Sequence, residues 1–113
     1  MAGKFEIYND KAGEYRFRLK AGNGETILTS EGYSGKSAAM NGVQSVQDNC
    51  SNKSLFAARE TKGGSYRFDL KAKNHQVIGS SQNYKTRSGR NNGIGAVGRA
   101  ATGAKVVDLT AHA

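Results

Sequence analysis

The second half of this chain repeats the first half with an offset of 51 residues. Residues 15–21 read YRFRLKA, and residues 66–72 read YRFDLKA. When residues 5–50 are placed on residues 56–101 without a gap, 17 of the 46 positions are identical. A unit of about 50 residues buries little of its surface and would be only marginally stable alone, so two such units are expected to share one core. We therefore predict a single domain over residues 1–113, with internal repeats at residues 3–53 and 54–110.

Each repeat begins with the pattern of three strands. In the first repeat, Tyr15, Phe17 and Leu19 alternate with basic residues, which is typical of a strand with one buried face. The third strand is expected to point Ile27 and Thr29 inward. The predicted strands lie at residues 4–8, 15–21 and 25–30 in the first repeat and at residues 55–61, 66–72 and 76–81 in the second.

The segments that follow the strands predict turns and helices. Asn23-Gly24 is typical of a two-residue hairpin, because both residues tolerate positive φ. Ser34 reads as the N-cap of a helix that ends at Asn49.

The second helix is predicted over residues 86–101, although it contains four glycines. Each glycine lowers helix stability by about 1 kcal/mol relative to alanine, so packing must stabilise this helix. Gly42 and Gly93 occupy equivalent positions in the two repeats. This equivalence predicts that both helices lie close to the sheet.

These elements together predict an α+β fold. Two β-β-β-α-β units are expected to form one antiparallel sheet, with two helices packed on one face and a pseudo-twofold axis between the repeats. A last strand over residues 105–110 has no third unit to join, so we expect it to pair with an existing edge of the sheet. Residues 111–113 are expected to form a frayed tail.

The repeated motif also resembles a known family. The pattern Tyr-Arg-Phe-x-Leu-Lys-Ala-x-Asn, followed by Ile, Ser, Tyr and a helix that starts at a serine, is similar to the YegP-like family of small bacterial proteins. Residues 22–30 and 74–81 look like the hairpins of that family, and the resemblance covers nearly the whole chain. It implies β(3)-α-β units that form one sheet and exchange their final strands. It implies no activity, and the glycines of the second helix depart from the family pattern.

Positive charge is concentrated in the second half of the sequence. Residues 1–52 contain six Lys or Arg and six Asp or Glu, whereas residues 53–113 contain eleven and three, which accounts for the net charge of +8. A basic surface attracts nucleic acid, anionic lipid or acidic proteins, but net charge also serves solubility alone. The candidate anion-binding residues are Arg67, Lys71, Lys73, Lys85, Arg87, Arg90 and Arg99.

Strand alternation predicts a basic face on the side of the sheet that the helices leave uncovered. Tyr8 is expected on the same face, where its ring would stack. Basic groups beside an aromatic ring on an open sheet are typical of single-strand binders. The basic residues predicted on this face are Arg16, Arg18, Lys20, Arg67 and Lys71. Tyr33 and Tyr84, which precede the helices, are expected to pack against them.

The remaining motifs do not indicate an enzyme, a cofactor or a metal site. Residues 93–98 match the spacing Gly-x-Gly-x-x-Gly, but they lie in a predicted helix, whereas a dinucleotide site needs these glycines directly after a strand. His75 and His112 are isolated, and the single Cys50 is expected to be a passive, partly buried thiol. A metal site needs three or four converging ligands, which these residues do not supply.

We therefore expect a small non-enzymatic protein without cofactors, and two interpretations of its function stay open. One is binding of nucleic acid or another polyanion by residues 71–105. The other is a protein–protein interaction module that uses the open sheet face. We expect a monomer, because the repeats pair with each other. We also expect a cytoplasmic location without membrane association, because no signal or membrane-spanning segment is apparent and one cysteine suits a reducing compartment.

Overall fold

Residues 3–110 are described by a computed structural model, in which two helices pack on one face of a seven-stranded sheet. The predicted tail at residues 111–113 lies outside the described residues. A short 3-10 helix (Lys53–Leu55) connects the two repeats. The first repeat contributes β1 (Lys4–Asn9), β2 (Tyr15–Lys20), β3 (Thr26–Thr29) and α1 (Lys36–Asn49). The second contributes β4 (Phe56–Glu60), β5 (Tyr66–Lys71), β6 (Val77–Ser80), α2 (Arg87–Ala101) and β7 (Lys105–Asp108).

The two repeats meet in the middle of one sheet, whose strand order is β4-β5-β6-β3-β2-β1-β7. The α+β fold, with both repeats in one sheet, is therefore confirmed. β4, the first strand of the second repeat, pairs with β5 of the same repeat, whereas β7, the strand after α2, pairs with β1 of the first repeat. Only the second repeat therefore passes its final strand to the other, and the mutual exchange that the family resemblance implied is not seen in the described residues.

The sheet is mixed, and the prediction of an antiparallel sheet was wrong for its last strand. β7 runs parallel to β1, with Lys105 opposite Lys4. The reason is that α2 ends beside the start of β1, where the Gly3 amide donates a hydrogen bond to the Ala100 carbonyl at 3.0 Å. The chain therefore begins β7 next to the beginning of β1. The outer edge of β4 carries no such strand within residues 3–110.

The core between the helices and the sheet includes two layered aromatic pairs. Phe17 and Phe68 are fully buried, and Tyr33 and Tyr84 stack on them with ring centroids 6.4 and 6.3 Å apart. A Cβ on Gly93 would lie 2.3 Å from the Tyr84 hydroxyl oxygen, and Gly42 has the same relation to Tyr33. The packing role of both tyrosines is confirmed. The helix glycines admit these rings between helix and sheet.

The predicted N-cap of the first helix was wrong. α1 begins after Gly35, which provides no side-chain hydrogen bond to the helix. Its equivalent in the second repeat, Thr86, caps α2 by accepting a hydrogen bond from the Gly89 amide at 2.9 Å. Because the repeats are in register, the cap of each helix lies one residue after Ser34 or its counterpart Lys85.

The first β2–β3 hairpin also differs from its prediction. Gly24 has a φ of 86°, whereas Asn23 does not have positive φ. The strands are joined over residues 21–25 rather than by two residues. The register then shifts, so that Ile27 and Leu28 are both buried and Thr29 lies opposite Arg18 on the other face. The inward placement of Ile27 was correct and that of Thr29 was wrong, because this β-bulge breaks the alternation.

Candidate anion-binding face

The face of the sheet opposite the helices, here called the open face, is rich in basic side chains. Among the strand residues, the registers place eight basic and two acidic side chains on it, a balance of +6. The two acidic strand residues are Glu6 and Asp69, and two acids outside the strands, Asp10 beside Arg16 and Glu31 in the groove, reduce this balance. The basic residues are Lys4, Arg16, Arg18, Lys20, Arg59, Arg67, Lys71 and Lys105. The five basic residues predicted on this face are therefore confirmed there, and three further ones join them.

Glu6 holds three of these cations together. Its carboxylate accepts a hydrogen bond from the Arg18 Nε at 2.7 Å and lies 3.3 Å from the Lys20 Nζ and 3.5 Å from the Lys4 Nζ. The Arg18 guanidinium, followed by Lys20, holds the pKa of Glu6 below its ordinary value. One carboxylate among three cations leaves two positive charges uncompensated in this part of the open face.

Tyr8 does not offer a free ring. The Arg18 guanidinium carbon lies 4.5 Å from the centroid of the Tyr8 ring, which is a cation–π contact. A nucleic-acid base would have to displace this arginine in order to stack. Tyr8 lies on the open face as predicted, but its ring is already covered.

The other half of the open face has one acidic residue, Asp69. Its carboxylate accepts hydrogen bonds from the Arg59 Nε at 3.0 Å and from the Ser80 hydroxyl at 2.7 Å. Lys71, Lys105 and Arg67 form no ion pair in the described part of the chain. They are the basic residues of the open face best placed to meet an anion from outside the protein.

The structure separates the seven residues that the sequence predicted as an anion site. Arg67 and Lys71 lie on the open face, and Lys73 lies in the adjoining β5–β6 turn. Arg99 is in the last turn of α2, about 18 Å along the helix from its first turn. Lys85 precedes α2 and Arg87 and Arg90 lie in its first turn.

The basic residues at the start of α2 belong to the helix side of the molecule. The guanidinium groups of Arg87 and Arg90 lie 5.8 and 5.7 Å from the centroid of the Tyr66 ring, which faces the helices. Arg87 also lies 3.2 Å from the Glu60 carboxylate. The basic segment 71–105 therefore does not form one surface, and anion binding by its members stays a prediction.

A groove of about 580 Å³ crosses the open face where the repeats meet. Its cause is the short pairing of β3 with β6, in which the register joins only Thr29 and Ser80. Each repeat contributes one arginine to the groove, Arg16 from the first and Arg67 from the second. The guanidinium of each donates to the serine carbonyl at the end of the neighbouring strand, at 3.1 Å in both repeats.

The two groove arginines differ in their counterions. The Arg16 Nε donates to the Asp10 carboxylate at 2.7 Å, which lowers the pKa of Asp10 and raises that of Arg16. In the second repeat Thr61 stands in place of Asp10, and the buried Nε of Arg67 has no acceptor among residues 3–110. The aligned repeats show that Thr61 replaces Asp10. The contact of Asp10 with Arg16 crosses a turn, so the sequence alone does not reveal it.

Residues 3–110 hold neither a candidate metal-binding cluster nor a membrane-spanning helix. The described part of the chain contains no group of three His, Cys, Asp or Glu side chains that could hold a metal ion. Over the same range, no helix is long and apolar enough to cross a membrane. The glycine motif at residues 93–98 lies inside α2, as predicted.

Comparison with known proteins identifies the family. A profile described as a domain of unknown function, DUF1508, matches the chain twice, over residues 10–56 and 62–108. The chain belongs to the DUF1508 family. The resemblance to YegP-like proteins and the tandem arrangement are therefore confirmed.

Relatives of this DUF1508 protein match it over their whole length. A UPF0339 protein in the ptx operon 5′ region of Stutzerimonas stutzeri is 50% identical over 109 residues, which are 96% of this chain and 98% of that protein. The UPF0339 protein YegP of Escherichia coli K12 is 46% identical over 110 residues, which are 97% of this chain and 100% of that one.

Two solution NMR structures share the DUF1508 fold seen here. The E. coli protein of unknown function yegP superposes with a TM-score of 0.93 at 44% identity, covering 100% of this chain and 97% of its own. A UPF0339 protein from Shewanella oneidensis has a TM-score of 0.90 at 45% identity, covering 96% and 92%. The names of these relatives state no activity, ligand or partner.

Proposed function

We propose that this DUF1508 protein is a non-enzymatic binding module that holds the phosphate backbone of nucleic acid on its open face. The observation that supports it is the excess of basic side chains on an uncovered sheet face, where eight basic strand residues exceed the carboxylates of Glu6, Asp69, Asp10 and Glu31. Lysine and arginine that meet phosphates release condensed counterions, and this release drives sequence-independent binding. Lys71, Lys105 and Arg67 are the expected primary contacts, because none of them is held by a carboxylate of the described residues.

Backbone contacts fit the open face better than base contacts do. Single-strand binders that read bases need free aromatic rings, and the one ring on the strands of this face, Tyr8, is covered by Arg18. We therefore expect weak dependence on base sequence and strong dependence on salt. The logarithm of the binding constant should fall against the logarithm of salt concentration by about 0.7 per phosphate contact for a single strand.

An acidic protein partner is the second candidate for the same face. Val77, beside the groove, is 41% exposed, and an exposed apolar side chain among cations suits a protein surface better than a phosphate backbone. Such binding would depend less steeply on salt than nucleic-acid binding does. The two candidates are therefore separated by the same titration.

Location and assembly follow as parts of this proposal. A nucleic-acid binder with a single buried thiol, Cys50, fits the reducing cytoplasm. A monomer fits the pairing of β3 with β6, which joins the repeats within one chain. Size-exclusion chromatography with light scattering, with and without nucleic acid, measures the assembly state.

Charge reversal on the open face tests the proposed function. Lys71→Glu with Lys105→Glu should weaken binding of a fluorescent single-stranded DNA about tenfold or more at low salt, because two phosphate contacts become repulsive. The matched control is Lys53→Glu with Lys85→Glu, which changes the net charge by the same amount at two positions beside α2. Fluorescence anisotropy measures both.

Two results would contradict the proposal. One is equal weakening by the two double variants, which would show that only net charge matters. The other is loss of binding in the triple variant Lys85→Glu, Arg87→Glu, Arg90→Glu without loss in the open-face pair, which would place binding at the start of α2.

A further inference from the structure

Arg67 is a basic residue of the open face with an unmade hydrogen bond. Its Nε is buried, and no residue between 3 and 110 offers it an acceptor. Buried donors in proteins are nearly always paired, so an unpaired one calls for a reason. The same nitrogen of the equivalent Arg16 is paired, at 2.7 Å from the Asp10 carboxylate.

The second repeat has Thr61 where the first has Asp10. Thr61 keeps the hydrogen bond that stabilises the turn but provides no counterion for Arg67. One oxygen of Asp10 accepts from the Ala12 and Glu14 amides at 2.9 and 3.0 Å, and the other accepts from Arg16. Thr61 has a single side-chain oxygen, which accepts from the Ser65 amide at 3.1 Å. It therefore satisfies the turn and has no second oxygen for Arg67.

A second acid is missing on the Arg67 side of the groove. Glu31 follows Ser30, the residue whose carbonyl holds Arg16. Its equivalent, Gln82, follows Ser81, whose carbonyl holds Arg67 in the same way. Both Glu31 and Gln82 line the groove. The second repeat thus has neither the carboxylate that pairs with the groove arginine of the first nor the carboxylate that lines the groove there.

The Arg67 guanidinium is nevertheless held in place. It donates from Nη2 to the Ser81 carbonyl at 3.1 Å and lines a groove large enough for a phosphate group and its esters. A planar guanidinium held in this way loses little freedom on binding and can present two parallel donors to phosphate oxygens. Thr26 lines the same groove and carries a hydroxyl that can act as a further donor.

We propose that Arg67 and the groove beside it form the docking site for one phosphate group of the nucleic acid. This inference rests on the proposed function and deepens it, because it names one anchoring residue among the cations of the open face. The phosphate meets the guanidinium from the groove through its Nη donors, because the Nε is buried, and it neutralises Arg67 as Asp10 neutralises Arg16. The groove half at Arg16 is already neutralised by Asp10 and is not a docking site.

The experiment follows the side-chain Nε–Hε signals of both arginines by NMR. The protein is labelled with ¹⁵N-arginine and titrated at constant ionic strength with inorganic phosphate and, separately, with a short single-stranded DNA. We expect the Arg67 signal to move to saturation in both titrations while the Arg16 signal stays in place. A titration with sodium chloride is the control for a general effect of anions. Arg67→Gln assigns the signal and should weaken DNA binding about tenfold.

Variants at position 61 separate charge from shape. Thr61→Asp introduces the carboxylate that the first repeat already accommodates, and we expect it to abolish the response of Arg67 to phosphate. Thr61→Asn has nearly the same shape without the charge, and it should keep the response. In the mirror variant Asp10→Thr with Glu31→Gln, the Arg16 signal should become responsive to phosphate.

Each negative outcome has one meaning. DNA binding without movement of the Arg67 signal would overturn the docking site and leave the proposed function standing. Saturable movement with phosphate, in a protein that does not bind DNA, would overturn the proposed function while supporting a phosphate site at Arg67. Equal movement of the Arg16 and Arg67 signals, or an unchanged response in Thr61→Asp, would overturn the inference.

Discussion

Single residues differ between the repeats even where the backbone is the same. The β2–β3 hairpin places Gly24 at a φ of 86°, and the β5–β6 hairpin places His75 at a φ of 69° in the equivalent position. The left-handed region is unfavourable for residues with a Cβ, although histidine enters it more often than most. The second hairpin therefore keeps its geometry with a residue that is strained there.

His75→Gly should raise the free energy of unfolding by about 0.5 kcal/mol. Relief of the strained φ is partly offset, because glycine has more freedom in the unfolded chain. Urea denaturation followed by circular dichroism measures the change. The converse substitution, Gly24→His, should lower stability by a similar amount. A destabilised His75→Gly would show that the imidazole makes contacts that outweigh the strain.

Among the elements of the fold, α2 has the composition least favourable for its own secondary structure. It contains Gly89, Gly93, Gly95 and Gly98 among its fifteen residues, yet it forms a continuous helix from Arg87 to Ala101. Val97 on its inner face is fully buried, and Ala100 and Ala101 are buried with it. Packing on the sheet therefore outweighs the propensity of the glycines, as helical stability in proteins mostly derives from the buried face.

Alanine substitutions two residues apart in α2 should have opposite signs. Gly95→Ala should stabilise the protein by about 0.5–1 kcal/mol, because the added Cβ meets only the mobile end of Arg99, at 3.1 Å. Gly93→Ala should destabilise it by about 1–3 kcal/mol, because the Cβ would lie 2.3 Å from the Tyr84 hydroxyl oxygen.

Thermal unfolding of the two alanine variants tests this, and Gly93→Ala with Tyr84→Phe is the informative control. Removal of the hydroxyl should recover part of the lost stability. If Gly93→Ala were as stable as Gly95→Ala, the close approach of Tyr84 to the helix would be wrong.

At the scale of the whole molecule, the last strand is tied to the first helix. The Lys36 Nζ at the start of α1 lies 2.8 Å from a carboxylate oxygen of Asp108 at the end of β7. This ion pair, together with a hydrogen bond from Thr110, lowers the pKa of Asp108 from 3.8 to about 2. The contact joins segments that are distant in the sequence and holds β7 at the edge of the sheet.

Stability should therefore fall as the pH is lowered from about 4 to about 2. The folded protein binds the Asp108 proton less readily than the unfolded chain does, so the stabilisation is present above the unfolded pKa and is lost through the folded pKa. The lowered pKa values of Glu6 and Asp10 act in the same direction. Urea unfolding at a series of pH values measures the slope.

Asp108→Asn should reduce the dependence of the free energy of unfolding on pH between about 4 and 2. Lys36→Met should also reduce it, because it removes the same ion pair. The double variant should show no further reduction beyond that of Asp108→Asn. A slope that is unchanged in Asp108→Asn would mean that the pair does not contribute to stability in solution.

Much of the element order follows from the sequence because it rests on local periodicity and on the repeat itself. The alternation in residues 15–21 places Phe17 and Leu19 in the core, and the offset of 51 residues transfers the same roles to Phe68 and Leu70. The predicted positions of Arg16, Arg18 and Lys20 on the open face follow from the same alternation. The β-bulge at Ile27 could not be predicted from this alternation, because it arises from the pairing of β3 with β2.

The candidate site was only partly visible in the sequence, since charge along a chain is not charge in space. Net charge separated residues 1–52 from residues 53–113, but the fold assembles the open face from both halves and turns Arg87 and Arg90 to the helix side. Lys105 joins the open face only because β7 lies beside β1.

The chain itself determined two like units, their strand and helix periods, and which side chains of the central strands β2 and β5 are buried, because these depend on neighbours within a few residues. Tertiary structure decided the parallel placement of β7, the groove at the β3–β6 junction and the loss of a counterion at Arg67. Each of these depends on groups brought together from distant segments or across a turn, and a one-dimensional pattern does not encode their distances.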